Sequence, residues 1–169
     1  MKILIYGKRE FNKMMDYKCI TDENAEEHNI LIISISSPKP MMTMYGFDEE
    51  SAYFKENHAN VLNLKFGDYS QEAVELYPQN CDHIFSEDMA NQVIDHIIAN
   101  KDKPLAIIHC GAGISRSGAI GTFLFDRCGD GDYDAFKRKN PRITPNQHVL
   151  KTLDKVANKK QINRIKNES

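Results

Sequence analysis

One stretch of this sequence groups a nucleophile, an anion-binding side chain and the glycines that let a backbone turn tightly: His109-Cys110-Gly111-Ala112-Gly113-Ile114-Ser115-Arg116-Ser117-Gly118. Only a thiolate attacks, and a free cysteine, with a pKa of about 8.5, is mostly protonated at neutral pH. Arg116 offers a planar fork of donors that matches two phosphate oxygens. Gly111 and Gly113 permit positive φ and close backbone approach. A short loop running into a helix aims successive N–H groups at one point, and the helix end adds partial positive charge there. The expected site takes a doubly charged anion, held by the amides of Gly111, Ala112, Gly113, Ile114 and Ser115 and by Arg116. The same donors would hold Cys110 as a thiolate, which could attack phosphorus and form a thiophosphate intermediate. The Ser117 hydroxyl would donate to the sulfur as it leaves. His109 would fix the loop through backbone hydrogen bonds rather than transfer protons. The bland alternative is an inert buried thiol in a plain strand-to-helix turn. A bare Cys-x5-Arg would leave that alternative open, whereas the fuller pattern between an apolar strand and a helix is much more specific.

The elements around the loop must deliver it. Leu105-Ala106-Ile107-Ile108 reads as a buried strand entering it, and a helix from near Ser115 through Phe125 leaves it. Ile3-Leu4-Ile5-Tyr6 and Ile30–Ile35 read as further strands. Val61–Phe66 alternates, with Leu62, Leu64 and Phe66 on one face. Ser86 caps a helix whose Met89, Val93 and Ile97 form one apolar stripe, beside Ala90, Ile94 and Ile98. Phe47–Asn57 reads as a short polar helix, and residues 69–84 as mostly loop. Thr144-Pro145-Asn146-Gln147 fits a capping box with proline at the first helical position, ahead of a last helix carrying Leu150, Leu153 and Ala157. Strands separated by helices imply an α/β fold: a central, mostly parallel sheet flanked by helices.

Composition narrows the function. The chain has 169 residues, enough for one domain with a real core, spanning 1–169 with a polar tail from Lys159 that is expected to fray. A net charge of -2 gives no basic face for nucleic acid. No apolar run approaches the roughly 20 residues that span a bilayer, and no signal peptide is legible, so no membrane partner and a cytoplasmic setting are expected. Cys19, Cys81, Cys110 and Cys128 show no zinc-ligand spacing, and no metal or other cofactor is expected. Asp130-Gly131-Asp132 fails as a calcium loop, because Ala135 and Pro141 stand where glycine and glutamate are needed. That stretch reads as a turn and helix cap.

The loop motif resembles the signature of the protein tyrosine phosphatase superfamily, in its compact dual-specificity-like branch. Arg142-Ile143-Thr144-Pro145-Asn146 is similar to the Pro-Asn segment that often follows the signature there. The resemblance runs from about Ile30 to Val156 and leaves residues 1–29 as an extension of no clear match. It implies metal-free hydrolysis of phosphate monoesters, with a phosphorylated protein as partner; apart from the resemblance, a monomer is the default expectation, the oligomeric state not being legible in the sequence. It also implies a general acid on a loop after an earlier strand. Asp68, after Leu64-Lys65-Phe66-Gly67, fits; Asp82 and Asp88 are fallbacks, and a turn-capping carboxylate is the plainer reading of Asp68. The loop holds no lysine, which weakens any likeness to phosphoinositide phosphatases; a lipid or RNA 5′-end substrate, or a phosphate-binding module without turnover, stays as the alternative. Tyr45 or Phe47 could line a shallow pocket. An activated thiolate oxidises readily, and Cys81 or Cys128 could then pair with Cys110.

Overall fold

A computed structural model describes residues 1–38, 52–81, 83–129, 131–162 and 165. Among these, four strands form one all-parallel sheet: β1 (Lys2–Gly7), β2 (Ile30–Ser36), β3 (Val61–Lys65) and β4 (Leu105–Cys110), in the order β1-β4-β2-β3. Six helices accompany it among the described residues: α1 (Lys8–Tyr17), α2 (Gln71–Leu76), α3 (Glu87–Ala99), α4 (Arg116–Cys128), α5 (Tyr133–Lys139) and α6 (Gln147–Lys159). None of them is long and apolar enough to cross a membrane.

Alternation in the strands builds two cores, because successive side chains point to opposite faces. Leu31, Ile33, Ile35, Leu62, Leu64, Ala106 and Ile108 meet α3, α4 and α6 through Val93, Ile97, Phe123 and Leu153. Ile32, Val61 and Ile107 face the other way, onto Phe11, Met15, Ile20 and Phe54. β4 lies between β1 and β2 and is covered on both faces, as continuous apolar parallel strands are. Residues 1–29 therefore supply an edge strand and the helix that covers the second face.

Three local expectations are corrected. Residues 52–57 form bends, not a helix, since the Asp22 carboxylate takes the Lys55 N–H at 3.1 Å and the Glu56 N–H at 3.4 Å. The remainder of the expected Phe47–Asn57 helix, with Tyr45 and Phe47, lies outside the described residues. Residues 69–84 are not mostly loop: Ser70 accepts the Ala73 N–H at 3.1 Å and starts α2, and a 3-10 turn covers Pro78–Asn80. α2 buries no side chain, so it has no apolar stripe for a periodicity reading to detect. In the last helix the cap is Asn146, which accepts the Val149 N–H at 3.1 Å, with Pro145 ahead of the cap. Ser86 and Asp132 do cap α3 and α5.

At the outer edge of β1, one side chain takes the backbone groups of both Ile3 and Ile5. Asn140 Oδ1 accepts the Ile5 N–H at 2.9 Å, and its Nδ2 donates to the carbonyls of Phe136 at 3.0 Å and Ile3 at 3.4 Å. Asn140 is buried, so truncation strands backbone groups without partners. We expect Asn140→Ala to lower unfolding free energy by about 1–3 kcal/mol, read from the urea midpoint at unchanged m.

Candidate active site

The loop starts where β4 ends. Gly7 pairs with Cys110 and Tyr6 with His109 in the sheet register, so the C-terminal ends of β1 and β4 coincide beneath it. Gly113 has φ +71°, and a Cβ there would sit 2.4 Å from the Gly7 nitrogen, so the turn admits glycine alone. Gly111 was expected to use the same freedom and does not; among the described glycines the positive φ is at Gly113.

The loop carbonyls bond outward. Gly111 O accepts from Lys8 N at 3.0 Å, Ile114 O from Thr144 N at 3.1 Å, and Ser115 O from Asn146 N at 3.1 Å. In a trans peptide the carbonyl and the next N–H point in opposite directions. The N–H groups of Ala112, Ser115 and Arg116 therefore turn to the interior of the loop, at the N-terminus of a 13-residue helix. That is an anion-binding arrangement.

Cys110 is buried, and its Sγ lies 3.0 Å from Ser117 Oγ on the first turn of α4. Arg116, also buried, donates from Nη1 to Ser37 Oγ at 2.8 Å, Phe66 O at 3.0 Å and Ser36 O at 3.3 Å, with its guanidinium carbon 6.0 Å from the Phe66 ring centre. One arginine edge thus ties the ends of β2 and β3 to the start of α4. Asp68 is half-buried beside it: Oδ2 is 4.0 Å from Arg116 Nε, and Oδ1 accepts from Ser115 Oγ at 2.7 Å and Asn146 Nδ2 at 2.8 Å. Asn146 Nδ2 also donates to Tyr69 O at 2.8 Å, while its Oδ1 caps α6. One buried amide therefore joins the start of the last helix to the segment that carries Asp68.

Folding brings Cys110, Ser115, Arg116, Ser117 and Asp68 to one loop. Asp88 is left apart, exposed in the first turn of α3, and Asp82 lies outside the described residues. The sequence did not mark Asn146 as a partner of Asp68, nor Ser37 and Phe66 as partners of Arg116. The one signal was for Asn146: a good capping residue directly before an amphipathic helix. Cys128 cannot pair with Cys110, since α4 puts it about 16 Å from Ser117 at 1.5 Å per residue, beyond disulfide reach. Cys81 Sγ is turned to the Tyr77 carbonyl at 3.5 Å. Among the described residues no three His, Cys, Asp or Glu side chains converge as a metal site.

No family model matches the chain, and no curated protein sequence matches it. Solved structures similar to it include the PTP-2 phosphatase of Cydia pomonella, at 17% identity and TM-score 0.44, covering 92% of this chain and 85% of that one. PTPMT1 in complex with PI(5)P is similar at 12% identity and TM-score 0.47, covering 94% and 91%. The human tyrosine phosphatase-like serine/threonine/tyrosine-interacting protein is similar at 18% identity and TM-score 0.37, covering 80% and 82%.

His109 holds the loop from below by side-chain contacts. Its Nε2 lies 2.8 Å from Ser34 Oγ on β2, and its ring stacks on Phe11 of α1 at 3.9 Å. Burial pushes its pKa from 6.5 down to about 3. The folded state keeps this imidazole neutral while an unfolded chain protonates it below pH 6.5, so its contribution is complete above that pH and is lost as pH falls toward 3. The unfolding free energy should drop with pH below 6.5, with His109 adding up to about 1.4 kcal/mol per pH unit to the slope. Chemical denaturation across pH 4–7 should show a shallower slope in His109→Gln; equal slopes would show that His109 is not buried neutral.

Proposed function

We propose that this protein hydrolyses phosphate monoesters through a phosphocysteine intermediate, acting on phosphotyrosine in proteins and also on phosphoserine or phosphothreonine. The observation that carries the reading is the pairing of Cys110 Sγ with Ser117 Oγ at 3.0 Å, at a helix N-terminus that Asp68 overhangs. The Cys110 thiolate attacks phosphorus as the bond to the ester oxygen breaks, and Asp68 protonates that oxygen. Water then attacks phosphorus and gives its proton to the Asp68 carboxylate. The sulfur leaves with the bond pair, steadied by the Ser117 hydroxyl, and inorganic phosphate departs. The inward amides and Arg116 balance charge on the phosphoryl oxygens throughout, the preorganised stabilisation on which phosphoryl transfer depends. Four cysteines, none in a disulfide, suit a reducing, cytoplasmic setting. A binding module without turnover has no need of Cys110, Ser117 and Asp68 together, which favours the enzyme.

Hydrolysis of an aryl phosphate should be blocked by vanadate and unchanged by chelators. Cys110→Ser should lower kcat on the order of 10³-fold or more while phosphate binding persists. Normal turnover in that variant, or a need for added metal, would sink the reading. Asp68→Asn should slow alkyl phosphates by about 10²-fold and good aryl leaving groups far less. Equal losses on both would remove Asp68 as the acid.

A further inference from the structure

The cleft beside Asp68, about 470 Å³, continues along α2, where Ser70, Gln71 and Glu72 face Pro145 and Gln147. This helix packs against α6 yet buries no side chain of its own. Its sequence, Gln71-Glu72-Ala73-Val74-Glu75-Leu76, places exposed Glu72 and Glu75 one turn apart on one face. Gln71 donates to Glu75, which steadies that carboxylate's position. Directly after them, at the C-terminal end of the helix, Leu76 is 58% and Tyr77 55% exposed, a contiguous apolar step. The cleft lining carries the carboxylates of Asp68 and Glu72 and neither lysine nor arginine.

We infer that α2 is a docking ridge for the polypeptide that carries the phosphorylated residue, with Glu72 and Glu75 reading Lys or Arg near it and Leu76 and Tyr77 seating an apolar side chain. The inference rests on the phosphatase reading of the cleft and narrows its substrate. The loop at the N-terminus of α4 neutralises one phosphate, so the surroundings decide which further charges are welcome. Carboxylates beside a phosphate site attract basic flanks and repel a second phosphate, over a Debye length of about 10 Å at 0.1 M salt. A phosphoinositide headgroup or an RNA 5′ end brings such extra anions into the cleft. A basic peptide brings the complement, and its apolar residue covers surface that the fold leaves bare.

Two phosphotyrosine peptides, identical except for paired Arg or paired Glu beside the phosphotyrosine, test this in the full chain. Fluorescence anisotropy with Cys110→Ser should give tighter binding of the Arg peptide by roughly three- to tenfold at low salt, the range two exposed ion pairs supply. The ratio should approach one above about 0.5 M salt. Adding E72K and E75K should invert it, and Leu76→Ala with Tyr77→Ala should weaken both peptides. Equal binding of the two peptides, a preference that survives E72K and E75K, or tighter binding of a short-chain phosphatidylinositol monophosphate would overturn the ridge. Turnover of an aryl phosphate by the wild-type chain separates the two readings. An active enzyme blind to peptide charge refutes the ridge alone, while charge-selective binding by an inactive chain supports the ridge and refutes the hydrolase.

Discussion

The outward bonding of the carbonyls between Cys110 and Arg116 is the constraint from which the site follows. Three of them are taken by Lys8, Thr144 and Asn146, segments distant from one another in sequence. Peptide planarity then turns the partnered N–H groups inward, so the anion cradle is the reverse side of ordinary structural hydrogen bonds. It costs no reorganisation when charge arrives, which is what makes fixed dipoles effective. Loss of any of the three outer segments would free a peptide to rotate.

A second layer ties this loop to the sheet. His109 is tied to β2 by Ser34 and to α1 by Phe11, and Arg116 is tied to the ends of β2 and β3. Both side chains are buried and polar, and His109 Nε2 and Arg116 Nη1 each have a partner inside the fold. The N-terminal strand and helix are therefore part of the site's support: Gly7 and Lys8 touch the loop backbone, and Phe11 sets the face of His109. Asn146 completes the support from the other side by serving the α6 cap and Asp68 with opposite ends of one amide.

The cleft that results is electrically uneven. Its α2 wall carries a carboxylate, while the adjoining loop at the start of α4 gathers amides, a helix N-terminus and the Arg116 guanidinium. The wall's exposed glutamate and the apolar step that follows are set by a helix that contributes nothing to the core.

Much of the fold was legible because its signals are local. Alternation in Val61–Phe66, the apolar run of Leu105–Ile108 and the Ser86 cap each declare an element within a few residues, and each element is present. The failures had other causes: a polar stretch at 52–57 whose amides Asp22 takes from 33 positions away, and a short α2 with no buried stripe to betray it. By itself the sequence singled out the residues proposed for the chemistry, because a cysteine, glycines, an arginine and a serine lie in one unbroken stretch that must bend between strand and helix. Only the tertiary structure decided what surrounds it: that Asp68 reaches Ser115, that Asn146 holds it, that Phe11 stacks on His109, and that α2 lines the cleft. Those contacts join residues many positions apart, and strand order, not local preference, determines which distant segments meet.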